Sequence, residues 1–234
     1  SASNTRLYSL DALRGFDMMW IIGVDSIFHN LARATKTPFW NAVSIQFTHP
    51  SWNGFHFYDL IFPLFLFLTG VATPYSTGRD LENGKSIHQV LMKVIKRGLI
   101  LILIGLVYNN GLQLHPLSDI RFCSVLSRIG IAYMFANVIY LFTKKRTQIV
   151  WFWGLLIGYW LLLKFTAAPG FIPGDLTMEG NFGSYIDRSI LPGKLSLGIH
   201  DTVGFIFNIP ATGTGLLGIF AGDFIKNSTL PPRA

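Results

Sequence analysis

The chain has 234 residues, of which 50% are hydrophobic and only 13% charged, about half the charged share of an ordinary soluble domain. So apolar a chain is not disordered, a single cysteine (Cys123) excludes a disulfide scaffold, and too little polar surface remains to cover a soluble core. The net charge of +7 does not imply nucleic acid, because Lys and Arg sit in short clusters between apolar runs, as in membrane loops. The composition leaves an all-α, polytopic transmembrane bundle, with the lipid bilayer as its first partner.

A helix needs about 20 mostly apolar residues to cross the hydrocarbon core. Six segments meet that requirement, at 13–31, 55–76, 90–110, 122–142, 149–167 and 202–225. They are too long, and too weakly alternating, to read as strands. A cytoplasmic N-terminus puts most Lys and Arg inside, with Lys144-Lys145-Arg146 as the clearest anchor. Both termini are therefore expected inside, and 1–234 reads as a single membrane domain. Two outer loops are long, at 32–54 and 168–201. Pro169, Gly170, Pro173, Gly174, Pro192 and Gly193 mark the second as an ordered irregular cap rather than another helix. No targeting extension is visible ahead of the first span, so a bacterial cytoplasmic (inner) membrane is the expected location.

The first span carries Arg14, Asp17, Asp25 and His29. Asp17, Ile21, Asp25 and His29 recur every fourth residue and form one stripe on a continuous helix. A carboxylate at the bilayer centre costs about 2.5–3.5 kcal/mol, so the stripe must face a bundle interior or a wet cavity. An ion pair with Arg128 of the fourth span and a functional role are both open. The second polar stretch is His49-Pro50-Ser51-Trp52-Asn53-Gly54, followed by His56 and Asp59 at the mouth of the second span. Imidazole is the commonest general base, and a base needs an orienting partner, for which Asp25 is the candidate. The competing reading has His49 capping the second helix beside Ser51 and Asn53. His56 and Asp59, three apart, are expected to be structurally hydrogen-bonded.

Other signals carry less. Gly213-Thr214-Gly215-Leu216-Leu217-Gly218 spells a dinucleotide fingerprint, but it follows no strand and lies in an apolar span, so it reads as helix packing. Gly218 and Gly222 form a small-xxx-small face. The histidines lack zinc-site spacing, so no metal is expected. Cys123 reads as a structural thiol. Asn227-Ser228-Thr229 fits a glycosylation sequon on the expected inner side.

The assembled motifs resemble a known family. Arg6-Leu7-Tyr8-Ser9-Leu10-Asp11-Ala12-Leu13-Arg14-Gly15 is similar to its opening motif, and His49 to Gly54 with Asp59 and Phe62-Pro63 to its central one. Ile120 to Gly130, Tyr185 to Arg188 and Gly204 to Gly222 continue the likeness. The family is the heparan-α-glucosaminide N-acetyltransferase type of transmembrane acyltransferase, in its bacterial form. Its members carry more spans than six, so the chain corresponds to their N-terminal part. The resemblance implies transfer of an acetyl group from cytosolic acetyl-CoA to a sugar amine across the membrane. It places the active-site histidine on His49 and its first-span asparagine partner on Asp25, where this chain has a carboxylate instead.

The resulting expectation is an acyl-CoA-dependent acyltransferase. His49 is the base, Asp25 orients it, and Ser51 or Asn53 donates to the developing oxyanion. Lys93, Lys96 and Arg97, with Arg128, are the candidate cofactor-binding cations for acetyl-CoA. Asp187 and Arg188 of the cap shape the site of a sugar or glycan acceptor. The alternative is a proton- or ion-coupled transporter using Asp17, Asp25, His29 and Arg128. Homo-oligomerisation stays open.

Overall fold

The computed structural model describes residues 8–112 and 116–228, the side chains of Ile21 and Ile22 excepted. Arg6 and Leu7 of the opening motif and Thr229 of the sequon lie outside the described residues. Among the described residues the regular structure is all helical, without strands. By contact the chain divides into two compact units, 1–68 and 69–234.

The first unit begins with α1 (Tyr8–Met19), a π-helical turn (Trp20–Val24) and α2 (Asp25–Thr35). The expected continuous span 13–31 is thus broken. Gly23 has φ +123°, a conformation that a Cβ strongly disfavours. Its freed carbonyl accepts from the Asp25 N–H and from Ser26 Oγ, the latter at 2.6 Å. The break also interrupts the stripe that runs from Asp17 to His29. Lys36 reverses the chain into α3 (Pro38–Gln46). Thr37 caps α3 by accepting from the Trp40 N–H, and Pro38 occupies the first turn, where its missing donor costs nothing. A short 3₁₀ turn (Phe57–Leu60) then leads into α4 (Ile61–Val71), in which the division between the units falls.

The second unit continues with α5 (Thr73–Glu82), α6 (Ile87–Asn110), α7 (Val125–Phe142), α8 (Lys145–Phe165), α9 (Phe182–Ile190) and α10 (Asn208–Ser228). Helix α6 packs along α7, and α10 packs against α5, α7 and α8. Glycines make these approaches close. A Cβ on Gly130 would sit 2.7 Å from Gly98 O. A Cβ on Gly70 would meet Gly215 O and the Gly218 Cα, and one on Gly222 would meet the Val71 backbone. The glycines of the apparent dinucleotide fingerprint therefore serve helix packing, as expected. Ala136, Leu216 and Ile219 form the centre of this core, flanked by Phe152 and Leu155. Helix α8 presents Trp151, Trp153, Ile157 and Trp160 outward, which suits a face solvated by lipid.

Three helical stretches among the described residues are long and apolar enough to cross a membrane: Phe57–Glu82, Val125–Phe142 and Lys145–Phe165. They mark an integral membrane protein. Helix α6 has the length, with 24 residues, but carries Lys93, Lys96 and Arg97. Helix α10, with 21 residues, has its large apolar side chains diluted by Gly, Thr and Asn and by Asp223 and Lys226. The segment expected to be a wholly irregular cap contains the nine-residue helix α9, started by Asn181, whose side chain accepts from the Gly183 and Ser184 N–H groups.

Candidate functional site

The segment that holds His49 is closed at its base by aromatic packing. Phe47 and Phe57 flank it and meet edge to face, with centroids 5.6 Å apart. Phe47 also stacks on Trp20 at 4.9 Å and on Phe28 at 4.5 Å. The loop from Thr48 to His56 is therefore pinned at both ends to the kinked α1–α2 segment. Within it, the His56 Nδ1–H donates to Thr48 O at 2.7 Å.

Asp59 organises the rest. Its Oδ2 accepts from the His56 N–H at 2.8 Å, which caps the 3₁₀ turn. Its Oδ1 lies 2.6 Å from His49 Nδ1. A carboxylate only accepts, so Nδ1 carries the proton and Nε2 of a neutral ring keeps its lone pair. The His49 and Tyr58 rings also meet in a T-shaped contact, with centroids 5.1 Å apart. The His49 side chain is 66% exposed and that of Asp59 only 25%. The expected bond between His56 and Asp59 is present, and the cap of this turn is His56 rather than His49. A base oriented through Nδ1 by a carboxylate, with Nε2 accessible, is equipped to take a proton from an incoming amine or hydroxyl.

The orienting role was expected of Asp25, but the carboxylate that meets His49 is Asp59. Asp25 begins α2 beside the Gly23 kink. Ser51 and Asn53 are exposed in the bend after His49. His29 Nδ1 is hydrogen-bonded to Ser44 Oγ at 2.6 Å, and Asp17 is fully buried in α1.

In the second unit, Lys93 Nζ donates to Asp80 Oδ2 at 2.6 Å and Lys85 Nζ to Asp80 Oδ1 at 2.8 Å. Asp80 is thus shared by two lysines, a counter-charge that the reading of the basic cluster missed. The Arg97 guanidinium lies 5.3 Å over the Tyr133 ring, and Lys96 is exposed. Arg128 Nη2 donates to Thr202 O at 3.0 Å, with its guanidinium 5.5 Å from the Phe207 ring.

The cap holds a buried polar cluster. The Asp187 carboxylate is fully buried and accepts from the Phe205 N–H at 2.8 Å. Burial pushes it up to about 6. His200, held down from its ordinary value chiefly by burial, is hydrogen-bonded to Ser184 Oγ at 2.8 Å. Asp201 takes N–H bonds from Ser196 and Val203 and faces Arg121. Arg188 donates to the carbonyls of Glu179 at 2.7 Å and Ile199 at 2.8 Å. Asp187 and Arg188 both act here as ties within the cap.

Comparison with known proteins concentrates on the stretch that contains the His49–Asp59 pair. A family model described as "Domain of unknown function (DUF5009)" matches residues 6–149. The heparan-alpha-glucosaminide N-acetyltransferase of Homo sapiens is 33% identical over 148 residues, and that of Mus musculus 32% identical over 147. Each alignment covers 62% of this chain and 20% of the relative, so the matched stretch spans about a fifth of those proteins. The family match and the two relatives bear out the resemblance: the chain belongs to the DUF5009 family, itself part of the heparan-alpha-glucosaminide N-acetyltransferase group.

Proposed function

We propose that the protein is a transmembrane acyltransferase that moves an acetyl group from acetyl-CoA to an amino sugar or glycan. The observation that carries this reading is the His49 ring, oriented through Nδ1 by Asp59 at 2.6 Å, within a stretch shared with two N-acetyltransferases. In this reading His49 Nε2 removes the proton from the acceptor amine as its nitrogen attacks the thioester carbonyl. The C–N bond forms, the C–S bond breaks, and CoA leaves as the thiolate. Ser51 or Asn53 donates to the oxyanion of the tetrahedral intermediate. Asp25 serves as a second acid near the first-helix kink. Lys96, Arg97 and Arg128 supply cations for the CoA phosphates, and Lys93 joins them once released from Asp80.

In this reading the chain crosses a bacterial inner membrane six times from a cytoplasmic start, so that acetyl-CoA approaches from one side and the acceptor from the other. Transport through Asp17, Asp25, His29 and Arg128 is not favoured, since the relatives are named as transferases. The deciding experiment measures CoA release by the full-length protein in membranes against a panel of amino sugars, with His49→Ala alongside. Acceptor-dependent release that His49→Ala reduces by about 10²-fold or more supports the proposal. Equal release by both proteins overturns it.

A further inference from the structure

A second polar site lies in the first unit, separate from the His49–Asp59 pair. A cavity of about 480 Å³ is lined by His29, Ala32, Arg33, Lys36, Asn41 and Ser44, within the usual range of small-molecule sites. His29, Ala32 and Arg33 follow the i, i+3, i+4 pattern of one α2 face, and Lys36 is the residue that ends the helix. Asn41 and Ser44, three apart, come from α3. The His29–Ser44 hydrogen bond of 2.6 Å ties the two walls together. No carboxylate lines the cavity, whereas Arg33, Lys36 and three further hydrogen-bonding side chains do.

Lys36 supplies an independent observation. It is the sole non-glycine residue with positive φ among the described residues, at 51°. It ends α2 where helices ordinarily place Gly or Asn. Such conformations cluster at ligand clamps and active sites. Glycine there would relieve the backbone but remove one of the two charges at the cavity.

We propose that this cavity binds a phosphate ester, with the Arg33 fork on two phosphate oxygens and the Lys36 ammonium as the second charge. His29, Asn41 and Ser44 hydrogen-bond the remaining oxygens or the ester's alcohol portion. The same chemistry fits a soluble phosphate ester and the headgroup of an anionic lipid.

The test uses the full chain in phosphate-free maltoside micelles. One arm titrates glycerol phosphate; the other dopes the micelles with phosphatidylglycerol, with uncharged diacylglycerol as its control. Thermal unfolding and the ¹⁵N signals of the His29 ring, assigned through His29→Gln, report binding. The expected result is a saturable response in one arm or both. The responding arm identifies the source, and a response in both assigns the site to the shared phosphate. Arg33→Gln and Lys36→Gly should each weaken binding about tenfold or more, as the loss of one charge-assisted contact implies. Lys36→Gly should unfold no earlier than the wild type, which separates lost binding from lost folding, and His49→Ala should bind normally. No saturable response in either arm, equal response to diacylglycerol, or unchanged affinity in both cavity variants overturns the proposal.

Discussion

Asp59→Asn isolates what the carboxylate does for His49. The replacement has nearly the same shape but offers one acceptor and one donor group in place of two acceptors. The His56 N–H, 2.8 Å from Oδ2, can be retained only by the amide oxygen. The amide NH₂ then faces His49 Nδ1, which lies 2.6 Å from Oδ1 in the native protein. Two donors cannot share that contact, so the imidazole proton moves to Nε2 and the lone pair required for proton abstraction is lost. In a buried catalytic triad the wrong tautomer costs about 10⁴ in kcat. Here the His49 side chain is 66% exposed, and water supports either tautomer. The expected cost is therefore that of one charge-assisted hydrogen bond, about 1.5–3 kcal/mol, or about 10–150-fold in kcat. CoA release at saturating acetyl-CoA gives the rate, and ¹⁵N histidine spectra give the tautomer. KM for acetyl-CoA should stay within about twofold, because Asp59 does not belong to the proposed CoA-binding cations. A wild-type rate with the proton demonstrably on Nε2 would refute the reasoning.

Two further outcomes follow from packing and from the cap. Gly70→Ala places its methyl against backbone atoms of Gly215, Gly218 and Ile219 and should cost about 1–3 kcal/mol. In Gly154→Ala the new methyl meets nothing within 4 Å, and that variant should be neutral or slightly stabilised; equal melting of the two in detergent would refute the close-approach argument. Asp187, with its carboxyl raised to about 6, binds more protons folded than unfolded between pH 4 and 6, so stability should fall as pH rises through that window. Asp187→Asn, which keeps an acceptor for the Phe205 N–H, should flatten this dependence in unfolding midpoints taken at pH 4.5 and 7.

The helical segments were legible because hydrocarbon demands long apolar runs. The runs at 122–142 and 149–167 correspond to α7 and α8, displaced by a few residues at their starts. The kink in the first expected span was not legible because hydropathy records burial and not backbone path. Ile21, Ile22 and Val24 make the run look continuous, yet Gly23 at φ +123° divides it. Gly23 was visible, but glycine within a membrane helix is equally a packing residue, as Gly130 is, and sequence does not distinguish the two uses. The cap was misread for the opposite reason. Its prolines and glycines flank 182–190 without entering it except at Gly183, and the Asn181 side chain starts a helix that the surrounding turn formers conceal.

Of the proposed site, the sequence named the histidine but not the carboxylate that the structure sets beside it. Residue types alone leave His49 open between a base and a helix cap, and the resemblance of the His49 to Gly54 motif favours the base. Asp25 is the expected partner because adjacent antiparallel helices can join the two groups and because the resemblance places the partner there. Asp59 had already been given a structural role, the cap on His56. The structure shows why one role does not exclude the other: a carboxylate has two oxygens, and the 3₁₀ turn takes one while leaving the second for His49. The cap also fixes the rotamer of Asp59, so the turn that starts the second span pre-orients the acid that holds the imidazole. This coupling predicts that Asp59→Ala will cost both activity and local order around Phe57, whereas Asp59→Asn will cost activity alone.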